Sequence, residues 1–217
     1  MFVTWSTIKS TLSTLYGEYF GSGGFVESEA GSPSEAAILC NLVHQQIVTI
    51  PQDFEFLKRD VTLSLTGATS YNIRTSYPDY AGTYQIYGLN NRQDEAFISN
   101  RDANIGLYNN GYTLKNGVLY WSNFLPQTGT LNLQIKSSYM VKDSSGTRKT
   151  FFSADDDVTV LPFEFVPILY HGVGQFINWR TDEASKQRKE FVDQQFATYM
   201  ENLRNNHEQT QILISMY

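Results

Sequence analysis

The spacing of apolar residues changes twice along the chain, from a helical period to strict alternation and back again. In residues 6–20 the apolar positions recur every three or four residues, which predicts an amphipathic helix. These positions are Ile8, Leu12, Leu15, Tyr16 and Tyr19. The glycine-rich stretch of residues 21–24 follows directly and predicts the end of this helix.

A second helix is predicted from residue 33 to about residue 49. Ser32 suits the N-cap and Pro33 the first helical position, while Glu35 would complete a capping box. Pro51 prevents any continuation, because proline lacks an amide hydrogen and its ring clashes with the preceding turn. The side chains that this helix would bury are Leu39, Leu42, Val43 and Ile47.

Residues 53–160 alternate between apolar and polar positions, which is the period of β-strands. The clearest runs are residues 61–65 and 131–136. Asn116-Gly117 lies between two such runs and predicts a tight hairpin turn, because both residues tolerate positive φ. Asn110-Gly111 is a second candidate turn. We expect an antiparallel sandwich or open barrel of about six to eight short strands.

The helical period returns after residue 160, with one apolar stripe over residues 163–177. A more polar helix is predicted to begin at Thr181 and to end at Asn205-Asn206. The simplest arrangement is an α+β fold in which residues 1–52 and 161–209 form a four-helix bundle. An antiparallel β-sandwich or barrel of residues 53–160 would be inserted into it. The expected core of the bundle is Leu12, Leu42, Leu169, Phe176 and Phe196.

Residues 210–217, after the predicted last helix, are largely apolar and carry no charge. They are too apolar to be left in water and too few to form a core. They could pack back on the bundle or add an edge strand, or they could be a docking tail that becomes ordered on a partner. The side chains that would dock are Ile212, Leu213, Ile214, Met216 and Tyr217.

Charge and composition exclude several classes of protein. The 217 residues include 16 Lys and Arg against 22 Asp and Glu, a net charge of −6. A duplex-DNA binder held by phosphate contacts would need a basic face. No apolar run approaches the ~20 residues of a membrane span, and polar residues interrupt any signal peptide in the first 20 positions. A single cysteine rules out a disulfide scaffold.

Few side chains are candidates for catalysis or metal binding. His44, His171 and His207 lack the spacing of a zinc site, and packing or simple exposure is the favoured interpretation. Cys40 and His44 are spaced for a thiolate–imidazole pair on a helix, but the apolar neighbours of Cys40 favour an inert core thiol. Asp residues 155–157 could bind calcium, although a solvated loop is favoured. The sequence indicates no enzyme, cofactor or metal.

The order of elements resembles that of head–tail adaptor proteins of tailed bacteriophages, also called connectors or gatekeepers. The resemblance rests on the two N-terminal helices with residues 50–54 (Ile-Pro-Gln-Asp-Phe), the inserted strands, and residues 161–173 (Leu-Pro-Phe-Glu-Phe-Val-Pro-Ile-Leu-Tyr-His-Gly-Val). In this family a similar proline-containing segment begins the third helix and continues into a helix like residues 182–205. The β domain is large for the small all-helical adaptors and is similar to gatekeepers with an inserted β module.

The resemblance implies a structural protein of the virion neck, made in the host cytoplasm and without catalytic residues. Twelve copies would form a ring beneath the portal of the capsid, in contact with portal and tail or nozzle proteins and not with a membrane. DNA would pass through without being read, and an acidic balance suits a channel that must not hold phosphates. Family members engage the portal through C-terminal segments. The competing interpretations are another virion protein or a receptor-binding, carbohydrate-binding module and, with least support, an enzyme.

Overall fold

The computed structural model describes residues 2–20, 23–26, 32–89, 98–99, 111–121 and 128–215. Only the backbone is described for residues 84–85, 87–89, 98–99, 111–113, 121 and 206–215. The chain divides into two compact units. The helical unit comprises Met1–Phe56 with Tyr139–Tyr217, and the β unit comprises Leu57–Ser138.

Five α-helices lie within the described residues. They are α1 (Trp5–Tyr16), α2 (Glu35–Val48), α3 (Ile73–Ser76), α4 (Pro167–Phe176) and α5 (Glu183–Ser215). Only α3, a single turn, belongs to the β unit. The 33-residue α5 continues through Asn205-Asn206, so the predicted end there is wrong. Asparagine is a mediocre helix former that does not by itself stop a helix.

Hydroxyl side chains cap both N-terminal helices. The oxygen of Thr4 accepts from the Thr7 amide at 3.4 Å, and that of Ser34 accepts from the Ala37 amide at 3.3 Å. Each bond satisfies an amide that has no partner inside its helix. The start predicted at Ser32 is therefore two residues early, because Ser34 is the residue that caps α2.

Helix packing in the helical unit is centred on α4. Both α2 and α5 lie against it, and α1 makes a smaller contact. Two glycines permit the close approach. A Cβ on Gly172 would lie 2.5 Å from Val43 of α2 and 2.9 Å from Phe196 of α5, and one on Gly174 would lie 2.6 Å from Val192.

Ten short strands form three separate sheets in the described part of the chain. They are β1 (Lys58–Thr66), β2 (Ser70–Asn72), β3 (Tyr80–Leu89), β4 (Ile98–Ser99), β5 (Gly111–Lys115), β6 (Val118–Trp121), β7 (Thr128–Ser137), β8 (Val141–Lys142), β9 (Arg148–Lys149) and β10 (Val158–Thr159). The β unit holds the sheets β1-β7-β3 and β2-β6-β5-β4. The third sheet, β10-β8-β9, lies in the helical unit. The β unit therefore covers fewer residues than the predicted range of 53–160.

The expected four-helix bundle with an inserted β-sandwich or barrel is wrong. The chain does combine helices with sheets, mostly antiparallel, as an α+β fold would. The helices pack instead around the 10-residue α4, against which α2 and the 33-residue α5 lie, whereas α1 makes only a smaller contact with it. The described strands form three small sheets rather than two packed layers or a closed barrel.

The predicted bundle core divides into buried and exposed members. Leu12 and Leu169 are fully buried and Phe196 is 9 % exposed, whereas Leu42 is 43 % and Phe176 is 39 % exposed. Placing Leu42 and Phe176 in the core is therefore wrong. Leu42 is not among the residues that α2 buries, and Phe176 is the last residue of α4, where the packed helix ends.

The core of the β unit follows from alternation along β1. Val61, Leu63 and Leu65 are buried between exposed neighbours. Antiparallel pairing sets Val61 opposite Leu133 and Leu63 opposite Leu131. Because side chains alternate across a strand, this register gathers the apolar residues of both strands on one face.

The hairpin predicted at Asn116-Gly117 is confirmed. The φ angles are 53° and 78°, and the flanking Lys115 and Val118 pair directly between β5 and β6. Positive φ at both positions is the geometry that matches the twist of two-residue hairpins. Asn110, in the second candidate turn, lies outside the described residues.

A buried carboxylate links the first and last strands of the β unit. Asp79 is fully buried, and its two oxygens accept from Nη1 of Arg59 at 2.7 and 2.8 Å. The hydroxyl of Ser137 donates to it at 2.5 Å. These bonds tie β1 and β7 to the residue that precedes β3.

Candidate functional site

The helical unit carries an open, mostly apolar groove of about 570 Å³. It lies between the N-terminal segment, the residues that lead into α4, and one side chain of α5. We call it the apolar groove. It is lined by Phe2, Val3, Thr4, Thr7, Phe163, Glu164, Val166, Pro167, Tyr170 and Tyr199.

One wall is built by the segment between two prolines. Pro162 precedes a turn of 3₁₀-helix, Phe163–Phe165, and Pro167 is the first residue of α4. A proline is tolerated there because the first amides of a helix have no partner within it. The turn leaves Phe163 61 % exposed while Val166 is buried. This wall is the proline-containing segment on which the resemblance to adaptors rests.

The opposite wall is the N-terminal segment, which is held by the sheet of the helical unit. The carbonyl of Val3 accepts from the Thr159 amide at 3.1 Å, and Thr4 bridges to Val158 of β10. Phe2, next to these bonds, is 57 % exposed. Its ring is thus held at the surface by a fixed backbone.

Two tyrosines complete the lining. Burial raises the pKa of Tyr170. A hydrogen bond with the Thr11 hydroxyl lowers this pKa, but its effect is smaller than that of burial. The ring of Tyr199 stacks on His171 with centroids 5.5 Å apart, and burial lowers the pKa of His171. Both shifts favour neutral side chains near pH 7. Among the described residues that line the groove, Glu164 is the one with a charged side chain. The lining suits an apolar segment rather than a charged ligand.

Cys40 and His44 do not form a reactive pair. Both are fully buried on α2. Burial raises the pKa of the Cys40 thiol. Burial and the nearby Arg148 lower the pKa of His44 to about 3. Near pH 7 these shifts favour a neutral thiol beside a neutral imidazole, and no hydrogen-bond partner is found for either ring nitrogen in the described part of the chain.

Two of the three aspartates of residues 155–157, Asp155 and Asp157, are engaged within the loop or with lysines. Asp157 accepts from the amides of Ser153 and Ala154 at 2.6 and 2.8 Å, and it pairs with Lys149 at 2.7 Å. Asp155 pairs with a lysine of α1. Within the described residues, no group of three or more His, Cys, Asp or Glu side chains is placed to hold a metal.

An aromatic and ionic cluster, which the sequence did not indicate, joins α1 to α5. The guanidinium of Arg188 lies 6.0 Å from the ring of Tyr19 and 5.8 Å from that of Trp179. It also donates to Glu18 at 3.0 Å and to the carbonyl of Leu15. Sequence spacing could not reveal this cluster, because its members come from segments more than 150 residues apart.

The five predicted docking residues lie at the far end of α5 or beyond it. Ile212, Leu213 and Ile214 belong to the backbone of α5, but their side chains are outside the described part of the structure. Met216 and Tyr217 lie wholly outside it. Their docking role stays a prediction, although residues 210–215 continue α5 rather than form a separate strand.

Comparison with known proteins does not assign the chain to a family. No family model matches the chain. No curated protein is similar to it. Among the described residues, no helix combines the length and apolar character needed to cross a membrane.

Proposed function

We propose that the chain is a structural protein of the neck of a tailed bacteriophage, one of about twelve copies in a ring between portal and tail. The observation that carries this proposal is the apolar groove, an open binding surface built around the proline-containing segment. A groove with two exposed phenylalanine rings, Phe2 and Phe163, favours burial against another protein.

The chemistry of the buried groups also supports an assembly role. The thiol and imidazole of α2 are held neutral in the core, and the acidic loop binds its own backbone and neighbouring lysines. Among the described residues that line the groove there is no serine, cysteine, lysine or histidine, so the lining offers mainly apolar contact area.

The net charge of −6 is compatible with a channel for DNA. Phosphates would be weakly repelled by an acidic ring and would not be held by it, so the nucleic acid could slide through. The proposal therefore includes contact with portal and tail proteins and passage of DNA without sequence-specific binding.

The receptor-binding alternative receives less support from the tyrosines of the β unit. The hydroxyl of Tyr71 accepts from the amides of Thr66 and Ala68 at 2.7 and 2.9 Å. The hydroxyl of Tyr77 donates to the carbonyl of Thr62. Tyrosines that bind their own loops in this way have a structural task, whereas a carbohydrate platform needs ring faces open to the ligand.

Cryo-electron microscopy of the chain mixed with the portal protein of the same virus tests the proposal. We expect a closed ring of about twelve copies on the portal. A Phe163→Asp variant should lose this ring, because it places a charge in the groove. The matched variant Phe191→Asp, at a side chain 56 % exposed outside the groove lining, should retain it.

A chain that remains as single copies in the presence of the portal would contradict the proposal. If that chain also binds oligosaccharides on an array, the result would favour the receptor-binding alternative.

A further inference from the structure

We propose that the apolar groove of one copy binds residues 210–217, which include the C-terminal end of α5, of a neighbouring copy. The inference deepens the proposed function and rests on it, because it names the contact by which neighbouring copies in the ring would join. It replaces the portal with a second copy as the partner of the segment.

The course of α5 prevents the segment from reaching the groove of its own chain. Tyr199 lines the groove and lies on α5, and the same helix continues without a break to Ser215. At 1.5 Å per residue, Leu213 lies about 21 Å further along the helix axis than Tyr199. A continuous helix cannot turn back over that distance, so the groove of another copy is the one available to it.

The segment matches the groove in chemistry. Residues 210–217 read Thr-Gln-Ile-Leu-Ile-Ser-Met-Tyr, without a charged side chain. The groove has Glu164 as its single charged lining residue, and that side chain is exposed. Because Glu164 is exposed, its carboxylate can stay hydrated when the two surfaces join, and the segment brings no second charge into the groove.

The groove is also large enough. A cavity of about 150 Å³ left by one missing leucine holds a benzene molecule, and this groove measures about 570 Å³. It therefore offers room for about three or four side chains of that size. Burial of the apolar side of a helix in a groove is a common mode of recognition between proteins.

The contact would be head-to-tail, because the two surfaces that meet are different parts of the chain. Contacts of this kind close into a ring when the rotation between copies allows it. One such contact is small, so free copies would associate weakly. Attachment of many copies to one portal would raise their effective concentration and complete the ring.

Cysteine cross-linking on the full chain tests the inference. The double variant Phe163→Cys with Leu213→Cys carries one thiol in the groove and one in the segment. A disulfide forms only when the two Cα atoms come within about 7 Å. Oxidised glutathione should convert the variant into a ladder of dimers, trimers and larger species on a non-reducing gel. Cys40 will not interfere, because it is fully buried and burial raises its pKa.

Matched variants identify the contact. Either single cysteine variant should give at most a dimer. The pair Phe191→Cys with Leu213→Cys, with a thiol at a similarly exposed position outside the groove lining, should give at least tenfold less ladder. A cross-link within one chain, or a ladder no stronger than that of the Phe191 pair, would overturn the inference.

The same cross-linking on the portal-bound sample separates this inference from the proposed function. A ring on the portal that lacks the 163–213 cross-link would overturn the inference and leave the ring standing. A cross-link from Leu213→Cys to the portal alone would also overturn it. A ladder in the absence of any ring on the portal would support the contact between copies and contradict the proposed function.

Discussion

The two units differ in the large hydrophobic side chains that they expose. Among the described residues, the β unit exposes one large hydrophobic side chain, Tyr120. The described part of the helical unit exposes seven, which are Phe2, Val26, Ile38, Leu42, Phe163, Phe176 and Phe191. Exposed apolar side chains that lie together can mark a site of interaction. Among the side chains that the structure describes, the two exposed phenylalanines of the apolar groove, Phe2 and Phe163, belong to the helical unit.

Buried polar groups show the same contrast. In the β unit, Asp79 meets Arg59 and Ser137 with three hydrogen bonds of 2.5 to 2.8 Å. In the helical unit, His44 is just as buried, yet neither ring nitrogen has a partner within the described residues. A fully satisfied group stabilises its surroundings, whereas an unsatisfied one reduces stability. The helical unit should therefore be the more sensitive to acid.

Removal of the Asp79 carboxylate should have the largest effect. We expect Asp79→Ala to lower the free energy of unfolding by about 3 kcal/mol, because Arg59 and Ser137 would lose their partner. This figure is the lower end of the usual range, since the Arg59 side chain is 36 % exposed and can be hydrated. Urea denaturation measures it. Asp60→Ala, at an exposed carboxylate of the same strand, should change stability by less than about 1 kcal/mol. Equal effects at both positions would contradict the assigned role of Asp79.

Acid should act through His44. Its pKa is lowered to about 3 from an ordinary value of 6.5, so below pH 6.5 the unfolded chain binds a proton that the folded chain does not. The stability is fully present above pH 6.5 and falls towards pH 3, by at most about 1.4 kcal/mol per pH unit. About 2 kcal/mol should be lost by pH 5.

The variant His44→Leu isolates this contribution. It removes the titrating group and keeps an apolar side chain in the core, so its stability should depend less on pH between 6.5 and 5. Urea denaturation of both proteins at pH 7.5, 6.5 and 5.0 measures the difference in slope. An unchanged slope in His44→Leu would show that other groups cause the acid sensitivity.

Crowding α4 should have a smaller net effect. Gly172→Ala places a Cβ 2.5 Å from Val43, and overpacking of this kind costs about 1–3 kcal/mol. The higher helix propensity of alanine offsets about 1 kcal/mol, which leaves a loss of about 0–2 kcal/mol by thermal or urea unfolding. Gly23→Ala, where nothing lies within 4 Å, is the control. A gain in stability from Gly172→Ala would mean that α2 moves away freely.

Local chemistry made two features of the β unit predictable from its sequence, although its sheet arrangement was not. Alternation at residues 61–65 indicated which side of β1 is buried, and Asn116-Gly117 indicated a hairpin because few other pairs accept positive φ twice. In the helical unit, the N-cap of α2 was predicted two residues early, because Ser32 and Ser34 both offer a hydroxyl. Such features depend on neighbours in sequence, which is why spacing detects them.

The helical unit was less predictable because its packing depends on distant contacts. A stripe over residues 163–177 indicated burial, but the 3₁₀ turn between the prolines leaves Phe163 outside. Gly172 and Gly174 carry no apolar side chain, yet they allow α2 and α5 to approach α4. Phe2 and Phe163 line the same groove although most of the sequence separates them. Periodicity contains no information on such pairs.

The smallest effect on stability should come from Phe163. Its side chain is 61 % exposed, so Phe163→Ser should change the free energy of unfolding by less than about 1 kcal/mol. A buried phenylalanine would cost about 3–5 kcal/mol on the same change to a small residue. Urea denaturation measures the stability, and cryo-electron microscopy of the variant mixed with the portal protein measures assembly. If the helical unit exposes this ring for a partner, assembly is lost while stability is kept. A large loss of stability would instead show that the Phe163 side chain stabilises the fold. The groove would then not be an exposed apolar surface that is free to bind a partner.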